Sequence, residues 1–211
     1  MKKNNFKKWF IRIFWLFMIG SLIGCIVETI VAIVQKGHFE FRQGVIYGPL
    51  IPIYGIGAVV YYLTISKIKN LKLVFLISML LGGFVEYMSS YIQELCFGTV
   101  SWDYSNLPFN ISGRTSLLHC IYWGLAGILF VKFIYPYVFK LDKLVDNTHF
   151  IYLTTALTVF MVFNLTISCL AGTRQYERYN NISASSNMDY FLDEYYPDSK
   201  MNKIFANAVY K

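Results

Sequence analysis

The stretch GSLIGCIVETI, Gly20 to Ile30, admits two interpretations that place the chain in different compartments. Its motif LIGC, ending at Cys25, resembles the cleavage box of an exported bacterial lipoprotein, after a basic start and an apolar run. Alternatively, the stretch is the second half of a transmembrane helix that carries a carboxylate, Glu28. A cleaved signal peptide ends its apolar region near the cut, whereas here the apolar residues continue to Val34. The sequence therefore favours a membrane helix that is kept in the protein.

Apolar runs of this kind recur along the whole chain. Of the 211 residues, 56% are hydrophobic and only 15% are charged, whereas a soluble domain carries about 25% charged residues. Five runs approach the roughly 20 residues needed to cross a bilayer; they cover residues 10–34, 45–66, 71–92, 115–139 and 150–171. The predicted fold is all-α: a polytopic membrane bundle of five transmembrane helices within residues 1–172, followed by a polar C-terminal tail, residues 173–211.

Basic residues are distributed unevenly between the two sides of this bundle. The N-terminus and the loops after the second and fourth runs hold eleven Lys and Arg residues, and the opposite loops hold three. Loops that face the cytoplasm collect Lys and Arg, so we expect a multi-pass protein of the cell membrane with a cytoplasmic N-terminus and an extracytoplasmic tail. The net charge of +7 is then mainly a topology signal, because the basic residues flank apolar runs. A nucleic-acid partner would need a basic stripe on a soluble face and is not expected.

The opening stretch has a counterpart later in the chain. A shift of 58 residues lays it on SMLLGGFVEYM, Ser78 to Met88, and seven of 21 residues are identical between residues 19–39 and 77–97. The following runs match at an offset of 69, where each has an aromatic residue before a glycine. The sequence therefore predicts an internal repeat of two helix hairpins that run in the same direction, plus a fifth helix.

Helical spacing puts a carboxylate and small residues on one face of each repeat. Gly20, Gly24 and Glu28 share a face of the first helix, and the later copy repeats the pattern with Glu86. Small residues four apart let helices approach closely in lipid. The cost of an ionised carboxylate in lipid, roughly 3 kcal/mol on insertion scales, predicts that both glutamates face the bundle interior.

Polar residues expected near the same outer ends complete a candidate substrate-binding cluster. The cluster comprises Glu28, Glu86, Arg114, Arg42, Gln43, Asp103 and His119. One interpretation is a substrate or ion site. A second is that the arginines simply pair with the glutamates and pin the helices together, and a third is that the helix faces are assigned wrongly. His119 taken alone is more typical of a packed core histidine.

The second apolar run is not typical of a regular helix. Pro49 and Pro52 each remove a backbone donor and clash with the preceding turn. At membrane depth, freed carbonyls are tolerated only when protein or water satisfies them. The run therefore predicts a broken or kinked span close to the cluster.

Sequence patterns for catalysis and cofactors are missing from this chain. It has no phosphate-binding GxxxxGK[ST] loop, no GxSxG elbow and no His/Cys metal spacing. No catalytic residue, metal or cofactor is predicted, and the four cysteines are interpreted as small apolar residues.

Several motifs resemble those of the CmpB-type family of ABC-transporter permeases. They are GxxxE in the first run, GPxxPxYGxG at Gly48–Gly57, GGxxEY at Gly82–Tyr87, WDYSxxPFNxxGR at Trp102–Arg114, the Trp123-Gly124 pair, and PDxxMxxIF at Pro197–Phe205. The resemblance covers nearly the whole chain. One departure is Arg42-Gln43-Gly44, where the family has Asn-Arg-Gly, and this puts the role of Arg42 in doubt.

The resemblance implies a permease-like subunit that works with a separate ATP-binding subunit. Residues 138–147 would be its cytoplasmic docking segment, and five spans make a small permease, so a homo-oligomer is expected. Two other classes fit the residues: a membrane enzyme or sensor at the outer face, whose paired carboxylates do acid–base work, and a structural membrane partner.

Overall fold

A computed structural model describes residues 2–211 as a helical bundle. The described part has seven helices: α1 (Lys2–Lys36), α2 (Pro52–Thr64), α3 (Leu71–Phe97), α4 (Leu117–Leu144), α5 (Thr148–Tyr179), α6 (Asn187–Tyr195) and α7 (Asp198–Ile204). It also has four two-residue strands: β1 (Thr99–Val100), β2 (Asn110–Ile111), β3 (Thr115–Ser116) and β4 (Val209–Tyr210). The strands form two antiparallel pairs, β1 with β4 and β2 with β3.

Four of the helices, α1, α3, α4 and α5, are long and apolar enough to cross a membrane. The expectation of an apolar helical membrane protein is confirmed at this level. Helix α2 has only 13 residues, about 20 Å of helix, which is less than the roughly 30 Å hydrocarbon core. Residues 45–51, at the start of the second apolar run, are irregular and the helix begins at Pro52, which agrees with the predicted break at the prolines.

The helix ends follow local chemistry. The side chain of Asn70 caps α3 by accepting hydrogen bonds from the backbone of Lys72 and Leu73, and Asn147 does the same for α5. These side chains satisfy backbone donors that a helix start leaves free. Helix α3 stops at Gly98, whose φ of 60° is the left-handed conformation that glycine adopts without a steric cost. Helix α5 runs on to Tyr179, so the first residues of the predicted tail belong to it.

Successive helices from α1 to α5, with the short α2 included, run in opposite directions and define two ends of the bundle. The lysine-rich end contains the start of α1, the turn at residues 65–70 and the turn at residues 145–147. The capped end contains residues 37–51, 98–116 and 180–211. The candidate site lies toward the capped end.

Aromatic rings fill the spaces that glycines leave between paired helices. A methyl group added at Gly24 in α1 would overlap the ring of Tyr54 in α2. A methyl group added at Gly82 in α3 would likewise overlap the side chain of Trp123 in α4. The α1–α2 and α3–α4 pairs are therefore packed in the same manner, with a large ring against a bare backbone.

Helix α5 supplies the hydrogen bonds that the irregular segment before α2 lacks. Asn164, which is fully buried, accepts from the Tyr47 backbone N–H at 3.0 Å and donates to the Tyr47 carbonyl at 2.7 Å. The Ile46 N–H donates to the Ser168 hydroxyl at 2.9 Å. Unpaired backbone groups are costly away from water, so these two side chains make the break in the second apolar run tolerable.

Replacing Asn164 with leucine is expected to destabilise the protein. The change leaves the N–H and C=O of Tyr47 without partners, at a cost of about 2 kcal/mol. The melting temperature of the detergent-purified protein should fall by about 5 °C. Thr166→Ala is the matched control, since Thr166 is on the same helix, is exposed and bonds only a carbonyl of its own helix. Equal melting temperatures for Asn164→Leu and wild type would contradict this role.

The C-terminal residues are bound to the capped end by charge, apolar burial and strand pairing. Arg174, whose side chain is 3% exposed, forms two hydrogen bonds of 2.9 Å with Asp193. Leu192, Tyr196 and Met201 pack in a buried cluster with α5. Strand β4 then pairs with β1 directly after α3. The two short helices, α6 and α7, lie on either side of Pro197.

The lysine-rich end is joined by an ion pair between distant parts of the chain. Arg12 in α1 binds both carboxylate oxygens of Asp142, and it donates to the Tyr62 hydroxyl at 3.1 Å. Asp142 lies where α4 changes form: an α-helix over Leu117–Leu129 becomes a π-helix over Phe130–Ile134 and ends as a 3-10 helix over Phe139–Leu144.

Candidate functional site

Glu28 lies in α1, one turn beyond Gly24, and its side chain contacts α2. Its side chain is half-buried and accepts a hydrogen bond from the Tyr54 hydroxyl. Tyr54 reaches this position because its ring rests on the bare backbone of Gly24. The small residue and the carboxylate of the repeated motif therefore serve a single arrangement, in which the glycine admits the ring that binds the glutamate.

Glu86 occupies the corresponding place in α3 and is more deeply buried, with 6% of the residue exposed. One carboxylate oxygen accepts from the Thr115 hydroxyl at 2.7 Å, and the other accepts from the Tyr104 hydroxyl at 3.1 Å. Thr115 belongs to β3, immediately before α4, and Tyr104 lies in the loop between α3 and β2. Two segments outside the long helices therefore meet at this carboxylate.

Aromatic rings connect the two glutamates. The rings of Tyr54 and Trp123 stack with centroids 5.6 Å apart, so the α1–α2 and α3–α4 pairs meet beside both carboxylates. Tyr104 stacks on His119 with centroids 3.7 Å apart. A ring nitrogen of His119 lies 2.9 Å from the Ser116 hydroxyl. We call the set Glu28, Glu86, Tyr54, Tyr104, Thr115, His119 and Trp123 the carboxylate–aromatic cluster.

Tyr104 is the member of this cluster that lies in a loop outside the helices. Burial raises the pKa of its hydroxyl well above the usual range, and the nearby Glu86 carboxylate raises it further. The hydroxyl therefore keeps its proton at physiological pH and acts as a hydrogen-bond donor to Glu86.

The arginines predicted to accompany the glutamates pair with other carboxylates. Arg42 lies 2.9 Å from Glu40, and Arg114 lies 2.6 Å from Glu94, a residue two turns beyond Glu86 on α3. Among the residues that the structure describes, neither Glu28 nor Glu86 forms an ion pair. The interpretation in which arginines neutralise the glutamates was wrong, because both arginines find a nearer acidic partner at the capped end.

The remaining predicted residues lie outside the cluster. The Gln43 side chain donates to the Ile46 carbonyl at 3.3 Å and so supports the irregular segment. Asp103 accepts from the backbone and the hydroxyl of Ser105, and these bonds lower the pKa of its carboxyl below the usual range. Its neighbour Tyr104, which sequence reasoning did not select, is the loop residue that reaches Glu86. Of the seven predicted residues, the structure brings Glu28, Glu86 and His119 together.

Two cavities in the described part of the chain lie away from the cluster. One of about 320 Å³ is an apolar groove between α1 and α2, and one of about 310 Å³ lies at the lysine-rich end. No group of three His, Cys, Asp or Glu suited to a metal ion occurs within residues 2–211.

Comparison with known proteins bears on the chain as a whole. No curated protein and no solved structure matches it. The profile of one protein family, described as "Putative ABC-transporter type IV", matches residues 15–169, which include most of the first helix, all of the second, third and fourth helices and most of the fifth. The match covers well over half of the sequence, and the chain belongs to this family of ABC-transporter type.

Proposed function

We propose that the chain is the membrane-embedded subunit of a transporter and that its carboxylate–aromatic cluster binds the positively charged group of a small substrate. The family and the long apolar helices fit a transporter-like membrane protein. One observation carries the substrate class: both glutamates accept hydrogen bonds from neutral hydroxyls while the arginines pair with other carboxylates.

A half-buried and a buried carboxylate, Glu28 and Glu86, without a cationic partner favour a cation as ligand. A carboxylate removed from water needs a counter-charge, a hydrogen-bond network or a proton. The rings of Tyr54, Trp123 and Tyr104 lie beside the two carboxylates, and aromatic faces attract organic cations. An ammonium group between Glu28 and Glu86 would supply the missing charge, and the rings would hold the rest of a small molecule.

Matched packing in the two helix pairs supports an internal duplication. Besides the Gly24–Tyr54 and Gly82–Trp123 contacts, Gly55 packs on Phe17 in the first pair. In the second pair Gly124 packs on Phe75. These contacts correspond at the offsets of 58 and 69 residues seen in the sequence. We propose two parallel hairpins and a fifth helix, with the short α2 and its preceding segment together making the second of five membrane crossings.

Orientation and energy supply complete the proposal. The concentration of lysines at one end supports a cytoplasmic N-terminus, which would place the cluster on the extracytoplasmic side. Because the sequence has no phosphate-binding loop, a separate ATP-binding subunit would drive transport. Residues 138–147, which include the irregular end of α4, would be the segment on which it docks. A five-span subunit would work as a homo-oligomer.

Organic cations are expected to bind the purified protein through Glu86. The probes are choline, tetramethylammonium and methylammonium, and binding is measured by isothermal titration at constant ionic strength. Glu86→Gln should weaken binding of the best probe at least tenfold, because a buried charge pair is lost. Glu94→Gln on the same helix removes a carboxylate outside the cluster and should change binding less than twofold.

Several results would contradict this proposal. Equal binding by wild type and Glu86→Gln would exclude the cluster as the site. A preference for anionic over cationic probes would exclude the substrate class. If Glu86→Gln lowers only the yield of folded protein and no cation binds the wild type, the cluster has the structural role of holding the helix pairs together.

A further inference from the structure

The second cavity lies at the lysine-rich end, where α1, α2 and α4 meet. It has a volume of about 310 Å³, and its walls include Trp9, Arg12, Tyr62, Lys67 and Phe139. The walls are mixed in character, with aromatic rings on one part and cationic or hydroxyl groups on another. A mixed wall of this kind suits an amphipathic ligand rather than a wholly polar or wholly apolar one.

Charge at this cavity favours an anion. Arg12 is neutralised by Asp142, which it contacts through both carboxylate oxygens. Lys67 is exposed and forms no ion pair with any residue in the described part of the chain. Lys8, one residue before Trp9, adds another positive charge close to Asp142. The cavity therefore carries a net positive charge, and the Lys67 ammonium group is available to bind a phosphate.

Apolar surface continues from this cavity along the same helix pair. A groove of about 320 Å³ is lined by phenylalanines of α1, including Phe10 and Phe17, and by aliphatic residues of α2, including Ile56 and Val60. In α2 the residues of the groove lie farther from the lysine-rich end than those of the mixed cavity, and in α1 the groove extends from Phe10 to Phe17, beyond Arg12. A ligand with a charged head at the first cavity could place a hydrocarbon chain beside this groove.

We propose that the mixed cavity binds the head group of an anionic phospholipid from the leaflet at the lysine-rich end, with an acyl chain along the apolar groove. Lys67 contacts the phosphate, and Trp9 lies at the depth where aromatic rings meet the head groups. Basic pockets between membrane helices on the cytoplasmic side suit such head groups. The assignment concerns a regulatory or stabilising lipid and does not depend on the cationic substrate proposed for the opposite end.

Short-chain phosphatidylglycerol is expected to bind the purified full-length chain more tightly than short-chain phosphatidylcholine. In a neutral detergent, quenching of tryptophan fluorescence by brominated acyl chains reports binding, and the difference should be at least tenfold. Lys67→Gln should weaken phosphatidylglycerol binding roughly fivefold, the effect of one lysine near an anionic surface. Lys69→Gln is the control, because Lys69 is exposed at the same end and does not line the cavity.

Three outcomes would overturn the proposal. Equal affinity for the two lipids would exclude an anionic head-group site. Equal losses in Lys67→Gln and Lys69→Gln would show diffuse attraction to the lysine-rich end. Displacement of phosphatidylglycerol by inorganic phosphate at equal concentration would show a site for a soluble anion, since the acyl chain would then add nothing.

Discussion

Replacing Gly82 with alanine adds a single methyl group and is expected to lower the stability of the protein strongly. The new methyl would overlap the Trp123 side chain, and α3 and α4 would have to separate. Overpacking of this kind costs about 3 kcal/mol when backbone must move. The melting temperature in detergent and the yield of folded protein from membranes should both fall sharply.

A second substitution at Trp123 tests whether the overlap with this side chain causes the loss of stability in Gly82→Ala. In a Trp123→Gly background the Cβ and the ring that the methyl would overlap are both absent, so Gly82→Ala should cost less than about 1 kcal/mol more. Leu80→Ala is the control for a nearby change on α3, since Leu80 is 76% exposed. If Gly82→Ala is as stable as wild type, or if Trp123→Gly does not suppress its effect, the helix pair does not depend on this close approach.

Replacing Asp193 with alanine is expected to release the C-terminal residues from the capped end. Arg174 would keep only Glu177 as an acidic partner while remaining almost fully buried. Removing one member of a buried ion pair costs about 3 kcal/mol, so trypsin should cut after Lys200 and Lys203 roughly 100-fold faster. The neighbouring exposed residue provides the control Glu194→Ala, which should leave the cleavage rate unchanged.

Acid should mimic this substitution. Hydrogen bonds from Arg174 and then from Arg178 hold the pKa of Asp193 below its usual range. A carboxyl whose pKa is lowered in the folded state contributes stability above its ordinary pKa of about 4, and this stability is lost as the pH falls through the folded value. Release of the C-terminal residues, followed by cleavage with the acid protease pepsin and corrected for pepsin's own rate on a short peptide at each pH, should therefore accelerate below about pH 4. Asp193→Ala should show less of this acceleration. A corrected wild-type rate that does not change with pH would contradict the role of Asp193.

Much of the helical scaffold could be predicted because membrane helices are recognisable in a sequence by the length and hydropathy of their apolar runs. The glycine and glutamate spacing in GSLIGCIVETI correctly indicated a face that packs against a partner helix. The prolines indicated a break before α2, although the irregular segment replaces a full helical turn and more. The number of membrane crossings stays a prediction, since α2 alone is shorter than a span.

The partners of the glutamates could not be predicted for a physical reason. Thr115 and Tyr104 reach Glu86 through a strand pair and a loop, and their positions depend on tertiary contacts rather than on helical periodicity. Tyr54 could more easily have been predicted as a partner of Glu28, because the sequence repeat already places an aromatic residue before a glycine at this position. The arginines were expected to pair with Glu28 and Glu86 because all four residues lie toward the same end of the bundle. Depth in the membrane alone does not decide which carboxylate an arginine binds. Glu40 and Glu94 lie nearer to the loops that carry Arg42 and Arg114, and the arginines pair with them.

The π-helical turn at Phe130–Ile134 changes how the rest of α4 must be understood. A π-turn holds about one residue more than an α-turn, so it advances the remainder of the helix by about 100° around its axis. Before the π-turn, Gly124 packs against α3. After it, Tyr135 packs against Tyr62 of α2. A helical wheel drawn through the whole segment would assign the last two turns to the wrong neighbours. The extra residue therefore rotates the end of α4, where Tyr135 meets Tyr62, relative to the part that packs on α3.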